Sequence, residues 1–139
     1  MVILDTNVIS ALMHRAPPLT VRTWLDHQPE LSVWTTAITV FELRHGIELL
    51  PRSRRRRSLE QEFERVIQDD IEHRIVPFDF AAANAAAVLM AERQRGGRRG
   101  DLRDTMIAGI VIASHATLAT HNVRHFADLS VPVVDPWHA

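Results

Sequence analysis

Three residue types are missing from this 139-residue chain: cysteine, tyrosine and lysine, so that all sixteen basic residues are arginine. Without cysteine there is no disulfide framework, no thiolate metal site and no thiol nucleophile. Without lysine there is no Walker A loop, no Schiff base and no phosphoacceptor site completed by an ammonium group. Any phosphate chemistry must therefore rest on carboxylates, a metal, arginine and backbone. No apolar run approaches the roughly eighteen residues that would span a membrane. The N-terminus also lacks the charged-then-apolar layout of a signal peptide, so a soluble cytoplasmic protein is expected. Formal net charge is only -1, so nucleic-acid binding, if present, must come from local patches rather than a global field. The length suits a single domain over residues 1–139 with a real core.

The chain is organised around its first twelve residues, MVILDTNVISAL. Val2, Ile3 and Leu4 read as a fully buried strand, and Val8, Ile9 and Leu12 as the inner face of a helix that follows at once. A strand without polar alternation belongs in the middle of a parallel sheet covered on both faces. Ligands bind such sheets in the crevice outside the carboxyl ends of the strands, where Asp5 falls. The competing reading is that Asp5, Thr6 or Asn7 only caps the helix.

Further strands are expected at 31–34, 75–78, 117–120 and 131–134, and helices near 19–27, 37–50, 58–72, 80–95 and 102–113. This alternation predicts an α/β, doubly wound parallel sheet. The 37–50 helix is apolar almost all round, which predicts a central, buried position. Glu42 sits awkwardly in it, because an unpaired buried carboxylate must protonate or find a cation; a salt bridge to Arg44, Arg22 or another arginine is the alternative. Ser58 with Gln61 forms a capping-box signature; the alternative is a start several residues earlier, which puts the arginine run in the first turns of that helix. Asp101 and Asp104 form another, although Asp104 shares a stripe with Ala108, Val111 and His115 that points inward.

Asp5, Glu42, Asp104 and Asn122 can converge on one edge of such a sheet. Carboxylates brought together repel unless a cation sits between them, and oxygen-only donors suit Mg²⁺ or Mn²⁺. A site of that kind cleaves phosphodiesters. His121 and His125, four apart, are a possible ligand pair if helical, though eight histidines in the chain make chance neighbours common.

LDTNVIS, TVFELRHGI, DTMIAGIVIA and LATHNVRHF together resemble a PIN domain, most closely the VapC and FitB group of toxin ribonucleases. The resemblance covers essentially the whole chain. It implies a PIN-like five-stranded parallel sheet of order 3-2-1-4-5 with helices on both faces. It also implies a Mg²⁺- or Mn²⁺-dependent endoribonuclease blocked by a cognate antitoxin of the VapB or FitA kind, which sends an arginine toward the carboxylates, and a toxin homodimer. The family's three acids fall on Asp5, Glu42 and Asp104. Its fourth position, aspartate in some members, is Asn122 here, a weaker uncharged ligand that bears on whether a second metal binds. Thr6 and Thr120 match hydroxyl positions that support the metal ligands. Two arginine clusters, Arg54, Arg55, Arg56 and Arg57, and Arg98 with Arg99, are candidates for RNA phosphate contacts. The alternative reading is a catalytically weak PIN scaffold, or a regulatory metal-binding α/β domain, that binds RNA or a partner.

Overall fold

The computed structural model describes residues 1–139. Val2–Leu4 forms β1, with β2 (Val33–Thr36) on one side and β4 (Thr117–Ala119) on the other. The two-residue strands β3 (Ile75–Val76) and β5 (Val133–Val134) close the edges. All pairings are parallel, and the order β3-β2-β1-β4-β5 is the one expected. Alternate side chains of a strand face opposite sides of its sheet. Leu4 accordingly enters one core with Val8, Leu12, Val21 and Phe63, and Ile3 a second with Ile107, Ile110, Leu118 and Phe126. Ile3 and Leu4 are wholly buried, each contributing about 2 kcal/mol through the hydrophobic effect.

The helices are α1 (Thr6–Leu12), α2 (Leu19–Asp26), α3 (Ala37–Glu48), α4 (Arg54–Arg65), α5 (Phe80–Arg95) and α6 (Leu102–Ala113). A π-helical stretch, Val66–Asp70, continues α4, and a 3-10 turn, Val123–Phe126, follows β4. Thr36, Ser53, Asp79 and Asp101 each cap the helix they precede, accepting a bond from the backbone N–H three residues on. Helices α5 and α6 pack through small residues. A Cβ added at Gly109 would lie 2.6 Å from both the Ala82 carbonyl oxygen and the Ala86 Cβ.

Three expectations need correction. The second strand begins at Val33 rather than Leu31, because Leu31 adopts φ 67° and is exposed. Thr35 and Thr36 complete that strand, with the Thr35 hydroxyl donating to the Leu4 carbonyl at 2.9 Å. Helix α4 starts from Ser53, not Ser58, so Arg54, Arg55, Arg56 and Arg57 make up its first turn. Helix α3 is not centrally buried. Only Thr39 and Ile47 are buried in it, and Phe41 is exposed, as is Leu49 just beyond it. An all-round apolar pattern cannot tell a core helix from one that leaves an apolar flank uncovered.

Candidate active site

The strand order reverses at β1, so the carboxyl ends of β1 and β4 open one crevice, the place where such sheets take ligands. Asp5 stands there, 3% exposed. Its Oδ1 accepts from the Thr6 N–H at 2.8 Å, and its Oδ2 accepts from the Thr120 hydroxyl at 2.8 Å. Burial pushes its carboxyl up from 3.8 to about 6, against the bonds from Thr120 and Thr6, and repulsion from Asp104 and Glu42 adds to the rise. Asp5 both caps α1 and faces the other acids, so the two readings of its position are not exclusive.

Glu42 arrives from α3. Its Oε1 accepts from the Thr6 hydroxyl at 2.9 Å, and the Thr6 and Thr39 hydroxyl oxygens are 3.0 Å apart. Because Thr6 has one proton and gives it to Glu42, Thr39 donates to Thr6, and Thr36 donates to Thr39 at 3.4 Å. Thr36, Thr39, Thr6 and Glu42 thus form a directed chain that begins at the α3 cap. Burial raises the Glu42 carboxyl, with Asp104 and Asp101 adding to it, while Thr6 and Arg103 lower it. Arg103 is the arginine that comes nearest, and at 3.9 Å from Oε2 it makes a loose pair.

Asp104 sits in the first turn of α6, its N–H bonded to the Asp101 carboxylate at 3.0 Å. Its side chain is partly open, and His125 Nδ1 lies 3.4 Å from its Oδ2. Burial raises its carboxyl, helped by Asp101 and opposed by His125 and Arg93. Beneath it Arg93, 5% exposed, grips Asp128 with two nitrogens at 2.8 and 2.9 Å. The same guanidinium donates to the Thr105 hydroxyl and the His125 carbonyl. This one arginine ties α5, α6 and the turn after β4 together, which fixes the bearing of Asp104.

Asn122 reaches the crevice through its backbone, its N–H donating to the Thr120 hydroxyl at 3.0 Å, while the residue is exposed. Asn7 has a larger part than a capping role suggested. Its amide approaches Asp5 Oδ2 and Thr120 Oγ1 at 3.4 and 3.3 Å, and its oxygen accepts from the His121 N–H at 3.1 Å. Polar residues running on without a break from the end of β1 were the available signal for it. Thr39 was signalled by its three-residue spacing from Thr36. The histidines are not a ligand pair, because helical geometry begins only at Val123. His121 packs against Trp137 with ring centroids 4.3 Å apart and planes tilted by 41°, and faces Asp135, whereas His125 faces Asp104.

Of the arginines, Arg56 is engaged by Glu48, Glu60 and the Leu50 carbonyl, whereas Arg54, Arg55 and Arg57 are exposed. Arg98 and Arg99 border a cleft of about 360 Å³ that opens directly beside Asp104. No three His, Asp or Glu side chains stand close enough to enclose an ion as the chain lies. The acids interact across the crevice rather than touching. The donors facing it are oxygens, and a cation would offset the burial that raises all three carboxyls and the like charge that adds to it.

A PIN domain family model matches residues 2–131. The chain belongs to the PIN domain family. Over 137 residues it is 33% identical to VapC ribonuclease Y4jK of Sinorhizobium fredii, covering 99% of this chain and 98% of the relative. Toxin FitB of Neisseria gonorrhoeae is 34% identical over 138 residues, 99% of each chain. The crystal structure of FitAcB from the same organism superposes with a TM-score of 0.87 at 34% identity, covering both chains in full. In this PIN domain the crevice at the β1 and β4 ends is the candidate active site. No helix of it is long and apolar enough to cross a membrane.

Proposed function

We propose that this PIN domain is a Mg²⁺- or Mn²⁺-dependent endoribonuclease toxin that acts on RNA in the cytoplasm and is held in check by a partner antitoxin. The observation that carries the reading is the placing of three carboxyls at one sheet edge, each raised by burial, with Asp104 and Glu42 adding to the rise of Asp5 and Asp104 adding to that of Glu42. These three residues would hold the cation, with Asn122 as a fourth, uncharged oxygen donor. The set fits a hard cation that keeps part of its water shell. When bound, that cation supplies polarisation of the phosphodiester and a water acidic enough to yield hydroxide near neutral pH. The chain's own residues prepare the site. Thr120 and the Thr6 N–H hold Asp5 in its carboxylate form, and the Thr6 hydroxyl orients Glu42. The exposed arginines Arg54, Arg55, Arg57, Arg98 and Arg99 would meet RNA phosphates, a sequence-independent contact.

Support for a partner comes from the relative that is named a toxin and from the solved structure of FitAB bound to a DNA fragment. An antitoxin arginine would pair with the same carboxylates in a bidentate fork and compete with the metal. Phe41 of α3 and Leu49 just after it, and Phe80 and Val88 of α5, are exposed apolar side chains, which supports a homodimer. The separation of the acids favours one alternative, a catalytically weak scaffold that binds RNA or a partner. Incubating the purified chain with single-stranded RNA decides between them. Cleavage should appear with Mg²⁺ or Mn²⁺ and stop with excess chelator, while RNA binding without cleavage in either metal would select the scaffold.

A further inference from the structure

We propose that the cleft beside Asp104 is a subsite for one phosphodiester group of the substrate strand, next to the bond that is cut. This rests on the nuclease reading and adds a place where the strand is gripped. The cleft is bordered by four guanidinium groups against three carboxylates. Two of those guanidiniums are already committed. Arg93 is spent on Asp128, Thr105 and the His125 carbonyl, and Arg98 leans on Asp128 at 3.3 Å. Arg99 and Arg124 line the cleft, are exposed, and make no ion pair. Asp128 is already shared by Arg93 and Arg98, and neither Arg99 nor Arg124 pairs with it, with Asp101 or with Asp104. An anion with several oxygens is what two free guanidiniums can bind.

The walls are held in place before any ligand arrives. Arg93 joins α6 to the turn that carries Arg124 and His125, and Gly100 lies flush against it: a Cβ there would sit 3.1 Å from the Arg93 guanidinium and 3.2 Å from the Thr105 hydroxyl. Only one of the ten lining residues, Ala127, is hydrophobic, and none is a Trp, Phe or Tyr. The lining is therefore polar, and His125 is the one ring in it. Asp104 belongs both to the cleft lining and to the acidic edge, so a strand with one phosphate in the cleft passes its neighbour across the carboxylates.

The test is an anisotropy titration with a labelled 2′-O-methyl hexanucleotide, in Ca²⁺, bearing a single neutral methylphosphonate at each linkage in turn. For the wild-type protein, one position should weaken binding by about tenfold, the scale of a charged hydrogen bond. In Arg99→Gln/Arg124→Gln that positional penalty should vanish, with a salt slope shallower by about 0.7 per lost phosphate contact. Arg15→Gln, at an exposed arginine outside the cleft lining, should keep the penalty, which separates a specific subsite from general charge. A double variant that retains the penalty, a wild-type protein that binds no oligonucleotide, or competition by uridine 5′-monophosphate equal to that of the hexamer would each overturn the subsite. Cleavage is not read here. A wild-type chain that shows the penalty yet never cuts RNA would overturn the nuclease reading and leave the subsite standing.

Discussion

The Thr120 hydroxyl donates a 2.8 Å hydrogen bond to Asp5 Oδ2, joining residues 115 apart in sequence across the ends of β4 and β1. It stabilises the charged form of a carboxyl that burial disfavours. Replacing Thr120 with Val should therefore move the Asp5 midpoint above its value of about 6. NMR titration of the carboxyl carbon checks this, and an unchanged midpoint would show that the hydroxyl has no part in holding the charge.

The raised Asp5 makes stability depend on pH in a definite sense. The folded chain holds this proton more tightly than the unfolded one, so its contribution is fully present below 3.8 and is lost as pH rises through about 6. Asp5→Asn removes that loss and should be more stable than wild type by about 1–3 kcal/mol at pH 7.5, with little difference at pH 4. Urea unfolding at the two pH values gives the answer. Glu42 and Asp104 shift in the same direction, so the variant should retain a shallower slope of the same sign.

Arg93 should matter more to stability than any arginine of the exposed clusters. Arg93→Lys keeps the charge but loses the fork on Asp128 and two further bonds. A cost of about 3 kcal/mol is expected, as for other broken buried ion pairs. Arg54→Lys should be neutral within about 0.5 kcal/mol. Thermal unfolding of the two variants side by side makes the comparison.

Gly109→Ala adds only a methyl group, yet it meets the α5 backbone at 2.6 Å. Helices α5 and α6 must separate to admit it, at a cost of about 1–3 kcal/mol. The same change at Gly46, where nothing lies within 4 Å, should stabilise the protein slightly, since alanine is the better helix former. Chemical denaturation of both variants tests the pair.

What could be read from the sequence follows the range of the interaction. The buried strand before Asp5, the caps at Asp79 and Asp101 and the Ala-rich α5 are local patterns, and each was legible. The strand order came from resemblance, because periodicity does not say which strand lies beside which. Ser53 and Ser58 both carry capping chemistry, and only packing of α4 against α3 selects the earlier one. The Arg93–Asp128 fork and the Asn7–His121 bond span 35 and 114 residues, and nothing local marks them. Among sixteen arginines, which one is buried is settled by tertiary contacts alone. Asp5 was legible at a strand end, Glu42 as a carboxylate on an apolar helix and Asp104 at a helix start; their distances from one another were not.

The central claim is that Asp5, Glu42 and Asp104 together hold the cation that makes this PIN domain a ribonuclease. The most direct measurement is the cleavage rate of a single-stranded RNA across a Mn²⁺ titration, for wild type and for Asp104→Asn in parallel. Asp104 is partly exposed, and the fold does not depend on its charge, so circular dichroism should match between the two. The account predicts a wild-type rate that rises and saturates with Mn²⁺ and falls to background with excess EDTA, and a variant rate lower by at least about a hundredfold, or about 2.7 kcal/mol in the barrier. Equal rates for the two proteins, or cleavage that persists in excess EDTA, would contradict it.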